Sequence, residues 1–261
     1  MSAFFMVAQM KKITSLTLVA IVAFGLACGG PGKSDEDKSL SYYTLAHEYL
    51  QQNRPQKAIP LYKKAIKARV NFAQAYHEIA VCYQQIGDDV KAIDYYEGAI
   101  VYNARDVDAY QSIGNIYFVQ NNYDKALNWY ERGAEVDFLY PRTYNNIATI
   151  YYLRGDFVNA RKYYGQAIAV DPTYPRAYYG LGLLAFIQGD TAEAEAKFLD
   201  AIRVGSMPEA IYMLGTLYYV SGDYIQAEAW FNRYLEKEPN GQWADKVRDT
   251  LVMIEQKKQG N

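Results

Sequence analysis

Cysteine and histidine are scarce in this 261-residue chain, at two of each. Two cysteines exclude a disulfide framework. Cys82 sits in a helical pattern among apolar neighbours and reads as a small buried hydrophobe. His47 and His77, without a nearby cysteine or carboxylate pair, fall short of a metal site, so neither a metal nor a cofactor is expected. The chain has no glycine-rich phosphate loop, no nucleophile elbow and no zinc-protease helix. Acidic pairs such as Asp88-Asp89 fall in turns, where solvation and helix capping account for them better than acid–base chemistry. No catalysis is expected. A basic block is also missing, and the net charge is −2, which makes nucleic acid a poor partner.

What is present in abundance is tyrosine, at 27 residues, and it is periodic. A small residue recurs at Ala58, Ala92, Ala126, Ala160, Ala194 and Ala227, in steps of 34, 34, 34, 34 and 33. An aromatic four residues later keeps the same beat: Tyr62, Tyr96, Tyr130, Tyr164, Phe198 and Phe231. A period of this size predicts a stacked array of short supersecondary units. Within a unit, Tyr144, Ile147, Ala148 and Tyr151 lie on one face of a first helix. Gly155-Asp156 marks a turn, and Ala160, Tyr164 and Ala167 share one face of a second helix. Asp171-Pro172 ends the unit, because proline cannot continue a helix. The small residues Ala46, Ala80, Gly114, Ala148, Gly182 and Gly215 mark where two helices approach closely. Tyr42, Tyr76, Tyr110, Tyr144 and Tyr178 occupy one recurring slot, expected in the core.

This spacing, tyrosine–x2–apolar–small–x2–aromatic and then alanine–x3–aromatic–x2–alanine, resembles the tetratricopeptide repeat. The resemblance implies an all-α, right-handed α-solenoid of six helix-turn-helix units at 39–72, 73–106, 107–140, 141–174, 175–207 and 208–241. Ala185 departs from it where an aromatic is expected, and Tyr234 where a small residue is expected. Residues 242–261 read as a capping helix and tail. Val247, Leu251 and Ile254 recur at helical spacing there, and a cap with a polar outer side shields the last apolar face.

The N-terminus is different material. Lys11-Lys12 precede a run of apolar or small residues from Ile13 to Ala27, shorter than the roughly 20 residues of a membrane-spanning helix. Leu26-Ala27-Cys28 resembles a bacterial lipoprotein cleavage site, which implies that residues 1–27 are a signal peptide and that Cys28 is lipidated. Ordinary secretion and a retained anchor are the alternatives, and Met1 or Met10 is the start. Residues 28–38 form a flexible tether. Gly29 is not the aspartate of an inner-membrane retention signal, so the expected place is the outer membrane, facing the periplasm.

In this repeat family the first helices line a concave groove. Carried over by register, the implied partner-binding residues are Tyr43, His47, His77, Gln111, Asn115, Arg142, Asn145, Tyr152, Arg176, Tyr179, Leu183, Phe186, Tyr212 and Tyr219. Asn and Gln offer donors and acceptors to a peptide backbone. Arg142 and Arg176 offer charge to a carboxylate, and Tyr179 and Tyr212 are the expected anchors. The lysine–x3–asparagine pattern that grips chaperone tails is absent: Tyr43/His47, His77/Val81 and Gln111/Asn115 stand in its place. The expected function is a membrane-tethered adapter for proteins or peptide segments, and the layout is similar to pilotin-type lipoproteins that assist type IV pilus secretins. A scaffold for cell-wall synthesis or hydrolysis enzymes and a self-associating structural lipoprotein are the alternatives.

Overall fold

Aspartate and proline set where the helices start. Asp88, Asp106, Asp156, Asp190 and Asp223 each place a side-chain oxygen on the backbone N–H three residues on, which satisfies a donor that the helix itself leaves free. Pro55, Pro141, Pro175 and Pro208 open four other helices, at the position where a missing N–H costs nothing. The turn within a unit needs a left-handed residue: Gly155 has φ 74°, and Asn121 takes the equivalent slot at 58°.

The computed structural model describes residues 34–259, and the chain divides into two compact units, the first ending at Asn122 and the second beginning at Tyr123. Among the described residues every regular element is a helix. The first unit holds α1 (Asp35–Gln51), α2 (Pro55–Ala68), α3 (Ala73–Gln85), α4 (Asp89–Tyr102) and α5 (Val107–Val119). The second holds α6 (Tyr123–Val136), α7 (Pro141–Leu153), α8 (Phe157–Val170), α9 (Pro175–Ile187), α10 (Thr191–Val204), α11 (Pro208–Val220), α12 (Tyr224–Lys237) and α13 (Ala244–Gln259). Residues 1–33, which carry the signal reading, Cys28 and most of the tether, lie outside the described residues. Helix α1 starts earlier than the tether reading allows. Ser34 and Asp37 form a reciprocal capping box, so residues 35–38 are its first turn.

Packing follows the period. α1 pairs with α2, α3 with α4, α7 with α8, α9 with α10 and α11 with α12. First helices also touch one another: α1 meets α3, and α9 meets both α7 and α11. The small residues of the second helices, from Ala58 to Ala227, are fully buried, and the aromatics from Tyr62 to Phe231 are buried beside them. The Gly182 and Gly215 slots show why this position must be small. A Cβ on Gly182 would stand 2.6 Å from the Phe198 ring, and one on Gly215 would stand 2.5 Å from the Phe231 ring.

The recurring tyrosine slot departs from expectation. Tyr110 is buried, but Tyr42, Tyr76, Tyr144 and Tyr178 are only half-buried. Their hydroxyls need partners, and at the unit's edge they find them: Tyr144 donates to the Phe138 carbonyl at 3.1 Å and Tyr178 to the Pro172 carbonyl at 3.1 Å. At the C-terminal end, Val247 and Ile254 of α13 close a cluster with Ile211, Tyr212, Phe231 and Tyr234. Trp243 lies flat on Tyr212, with ring centroids 4.6 Å apart and planes 10° apart.

One polar tie joins successive repeats in the first unit. Asp106 accepts from the Ala109 N–H at 3.1 Å with one oxygen and holds His77 Nδ1 at 2.8 Å with the other. Burial alone would lower the affinity of His77 for a proton. The hydrogen bond and charge of Asp106, aided by Glu78 and Asp108, outweigh burial and raise its pKa.

Two outcomes follow. Gly215→Ala, despite improving helix propensity by about 1 kcal/mol, should lower stability, because relieving the Phe231 contact costs about 1–3 kcal/mol. Gly165→Ala, in α8 with open space beside it, should raise stability by about 1 kcal/mol. Urea unfolding followed by helical circular dichroism reads both, and equal signs would refute the close-approach account. The His77–Asp106 tie should make the chain more stable than His77→Gln in acid, fully so below the unfolded imidazole pKa near 6.5. The advantage should fade as pH rises through the raised folded value. Melting temperatures of the two proteins across this range test it, and a difference that grew with pH would contradict it.

Candidate protein-binding site

The first unit and the second use their first-helix faces differently. In the first, the expected positions are filled by mutual contacts. Tyr43 on α1 packs on Tyr62 and Phe72 and lies parallel over His47, at 5.4, 5.0 and 6.0 Å between ring centroids. The Tyr62 hydroxyl is 3.4 Å from His47 Nδ1. His77 is committed to Asp106 and meets the Tyr96 ring edge-on at 5.2 Å. The two imidazoles are thus engaged separately, and among the described residues no group of three or more His, Cys, Asp or Glu is placed to hold a metal ion. Burial raises the Glu78 carboxyl above its usual range, although both histidines pull it back. Burial, with Glu78 beside it, pushes the Tyr43 hydroxyl and the Cys82 thiol each up to about 12. Cys82 is a buried free thiol, held in its unreactive form. On α5, Gln111 is buried and Asn115 is exposed.

In the second unit the same register opens a recess of about 240 Å³. It brings together Asn145 and Tyr152 from α7 and Arg176, Tyr179 and Leu183 from α9, five of the residues implied by register. Thr149, Leu153, Tyr164, Gly180, Met207 and Glu209 complete the lining with them. Tyr179 is half-buried, with its ring 5.9 Å from the core ring of Phe198. Burial, then the negative charge of Glu209, pushes its hydroxyl up to about 12, so it stays a neutral donor.

The remaining expected residues lie apart from the recess. Arg142 is exposed at the start of α7, its guanidinium 5.7 Å from the Tyr140 ring. Phe186 is half-buried against the cluster of Phe198 and Leu214. Tyr219 rests on Tyr224 at 5.8 Å, under the Lys257 ammonium at 5.9 Å. Tyr212 is buried at 8 % exposure beneath Trp243, so its face is spent on the cap and not offered to solvent. Met207 was not foreseen as a lining residue. The signal existed in register: it precedes Pro208 where Tyr140 precedes Pro141 and Tyr174 precedes Pro175, each the residue from which a first helix springs.

Comparison with known proteins places this geometry. The family described as Tetratricopeptide repeat matches residues 43–106, 145–205 and 188–242, and a further TPR repeat pattern matches 114–155. No curated protein matches the chain. Among solved structures, PilF of Pseudomonas aeruginosa is 18% identical over 84% of this chain and 100% of its own, with a TM-score of 0.67. PilW, described as a widely conserved type IV pilus biogenesis factor, is 18% identical over 80% of this chain and 97% of its own, with a TM-score of 0.64. YrrB, described as a TPR protein with an unusual peptide-binding site, is 18% identical over 72% of this chain and 97% of its own, at 0.51. At these identities the likeness establishes the fold. The repeat pattern spans more than half of the chain, the helix pairs recur at its period, and the small-to-aromatic contacts sit where it requires them: the chain belongs to the tetratricopeptide repeat family.

Proposed function

We propose that this protein is a membrane-tethered adapter that binds partner proteins through the first-helix faces of its repeats and serves outer-membrane secretin and type IV pilus assembly. The observation that carries the binding role is the recess on the second unit. The second helices spend their small and aromatic faces on the core, while α7 and α9 keep Tyr152, Arg176, Tyr179 and Leu183 around an open space. Recognition there needs no chemistry on the partner. A groove already formed loses little ordering entropy on binding, so more of the contact energy survives as affinity. Tyrosine suits the anchor position, because it offers large area with only two rotatable bonds and a polar tip.

The tether is the Cys28 lipid, supported by the sequence Leu26-Ala27-Cys28 after a short apolar run, all outside the described residues. No described helix is long and apolar enough to cross a membrane. The pilus role is suggested by the fold shared with PilF and PilW.

Crosslinking of the full-length protein in cells, followed by mass spectrometry of the membrane fraction, tests both halves. A secretin subunit should be recovered, and Tyr179→Ala should reduce that recovery about tenfold, as expected for loss of an anchoring aromatic. Cys28→Ser should release the protein from membranes. Recovery of cell-wall enzymes instead would transfer the assignment to the scaffold reading, and recovery of the protein alone would point to self-association.

A further inference from the structure

The recess on the second unit carries more information than its position in the repeat. Resting on the adapter reading, its polar groups define what kind of segment fits. Asn145 is 8 % exposed, and no hydrogen bond reaches its side-chain amide among the described residues; the Thr149 hydroxyl donates to its backbone carbonyl at 2.8 Å. Among the described residues no fully enclosed side-chain nitrogen or oxygen lacks a partner, so this unpaired amide reaches the open space that Asn145 lines. Water completes it in the free protein, and a partner's backbone can take that water's place.

The charges tell a matching story. Arg176 is the second residue of α9 and Glu209 the second residue of α11, so both project from helix N-termini into the same recess. Neither forms an ion pair with any described residue. A carboxylate such as Glu209 is favoured by the positive end of its own helix, but a guanidinium at that end is disfavoured by about 0.3–1 kcal/mol. Local structure therefore explains Glu209 in part and works against Arg176. Tyr179, Leu183 and Met207 supply apolar surface to the same recess. The volume, about 240 Å³, is below the roughly 300–1,000 Å³ of sites that hold drug-sized molecules. It is an open recess with room for an inserted side chain.

We infer that this recess takes a single apolar side chain of an extended partner segment, flanked by an acidic residue that meets Arg176 and a basic residue that meets Glu209, with the segment's backbone bonded to the Asn145 amide. The segment is selected by its charge polarity as well as by its apolar residue. Glu209 repels an acid on the wrong side, and Arg176 repels a base.

Fluorescence anisotropy with the full chain and dye-labelled, end-blocked peptides tests this. The probes are centred on Asp-Leu-Lys, Lys-Leu-Asp, Lys-Leu-Lys and Gln-Leu-Gln. One of the two mixed-charge orders should bind about fivefold more tightly than the neutral peptide, the scale of one partly exposed ion pair. Arg176→Glu should abolish that advantage and transfer it to Lys-Leu-Lys. Asn145→Ala should weaken every peptide about fivefold without changing the order of preference, and circular dichroism confirms that each variant keeps its helices. Equal binding of all four peptides, or a preference untouched by Arg176→Glu, overturns the charge-polarity inference and leaves the adapter reading standing. Failure of every peptide to bind also overturns the inference. The adapter reading falls by a different observation, recovery of no protein but this one in the cellular crosslinking.

Discussion

A small residue on a first helix pressed against an aromatic ring on the second is the contact on which the rest of this structure depends. Gly182 against Phe198 and Gly215 against Phe231 show it most plainly, because no Cβ fits between them. Alanine meets the same demand elsewhere: Ala46, Ala80 and Ala148 are fully buried. The contact sets how near the two helices come. It thereby fixes where the opposite face of each first helix points, and that face is where the recess forms. Dense packing makes the spacing nearly inflexible, since interiors absorb even a single extra methyl poorly.

From that constraint follows a division of labour between faces. The aromatic faces of the second helices are consumed by the core. The tyrosines at the repeat edges keep their rings half inside and their hydroxyls on loop carbonyls, so they stiffen the connections between repeats and fill the core only in part. The Asp106 carboxylate works similarly, capping α5 while holding His77 of α3. The end of the stack has its own solution. Tyr234 and Trp243 crowd around Tyr212, and α13 covers what would otherwise be an exposed apolar face. A repeat array needs such a cap because every interior unit relies on a neighbour for half of its burial.

The first-helix faces differ in what this leaves over. In the first unit Tyr43, His47 and His77 are occupied by one another's neighbours, by Tyr62, Phe72, Tyr96 and Asp106. In the second, Arg176, Tyr179 and the Asn145 amide surround open space with their bonding capacity unspent. The same register thus yields a consolidated surface in one unit and a receptive one in the other. A protein that binds partners needs only the receptive part to be rigid and pre-shaped.

The sequence alone determined the architecture, because a period of 34 with small and aromatic residues at fixed offsets leaves one economical way to bury both faces of a helix pair. It also determined the helix starts, since aspartate caps and N-terminal prolines act within one turn of where they stand. The start of α1 was legible too, in Ser34 and Asp37, although a polar stretch is easily read as tether. Which groove residues stay available was settled only by tertiary structure. Tyr179 and Tyr212 occupy the same repeat position, yet one borders a recess and the other lies under Trp243, a residue 31 positions further along the chain. Met207 and Glu209 join Asn145 in one recess across more than 60 residues of sequence. Register specifies which face of its own helix a side chain occupies. Whether that face is covered depends on which distant side chains the stacking brings across it, and on whether their bonds are already taken.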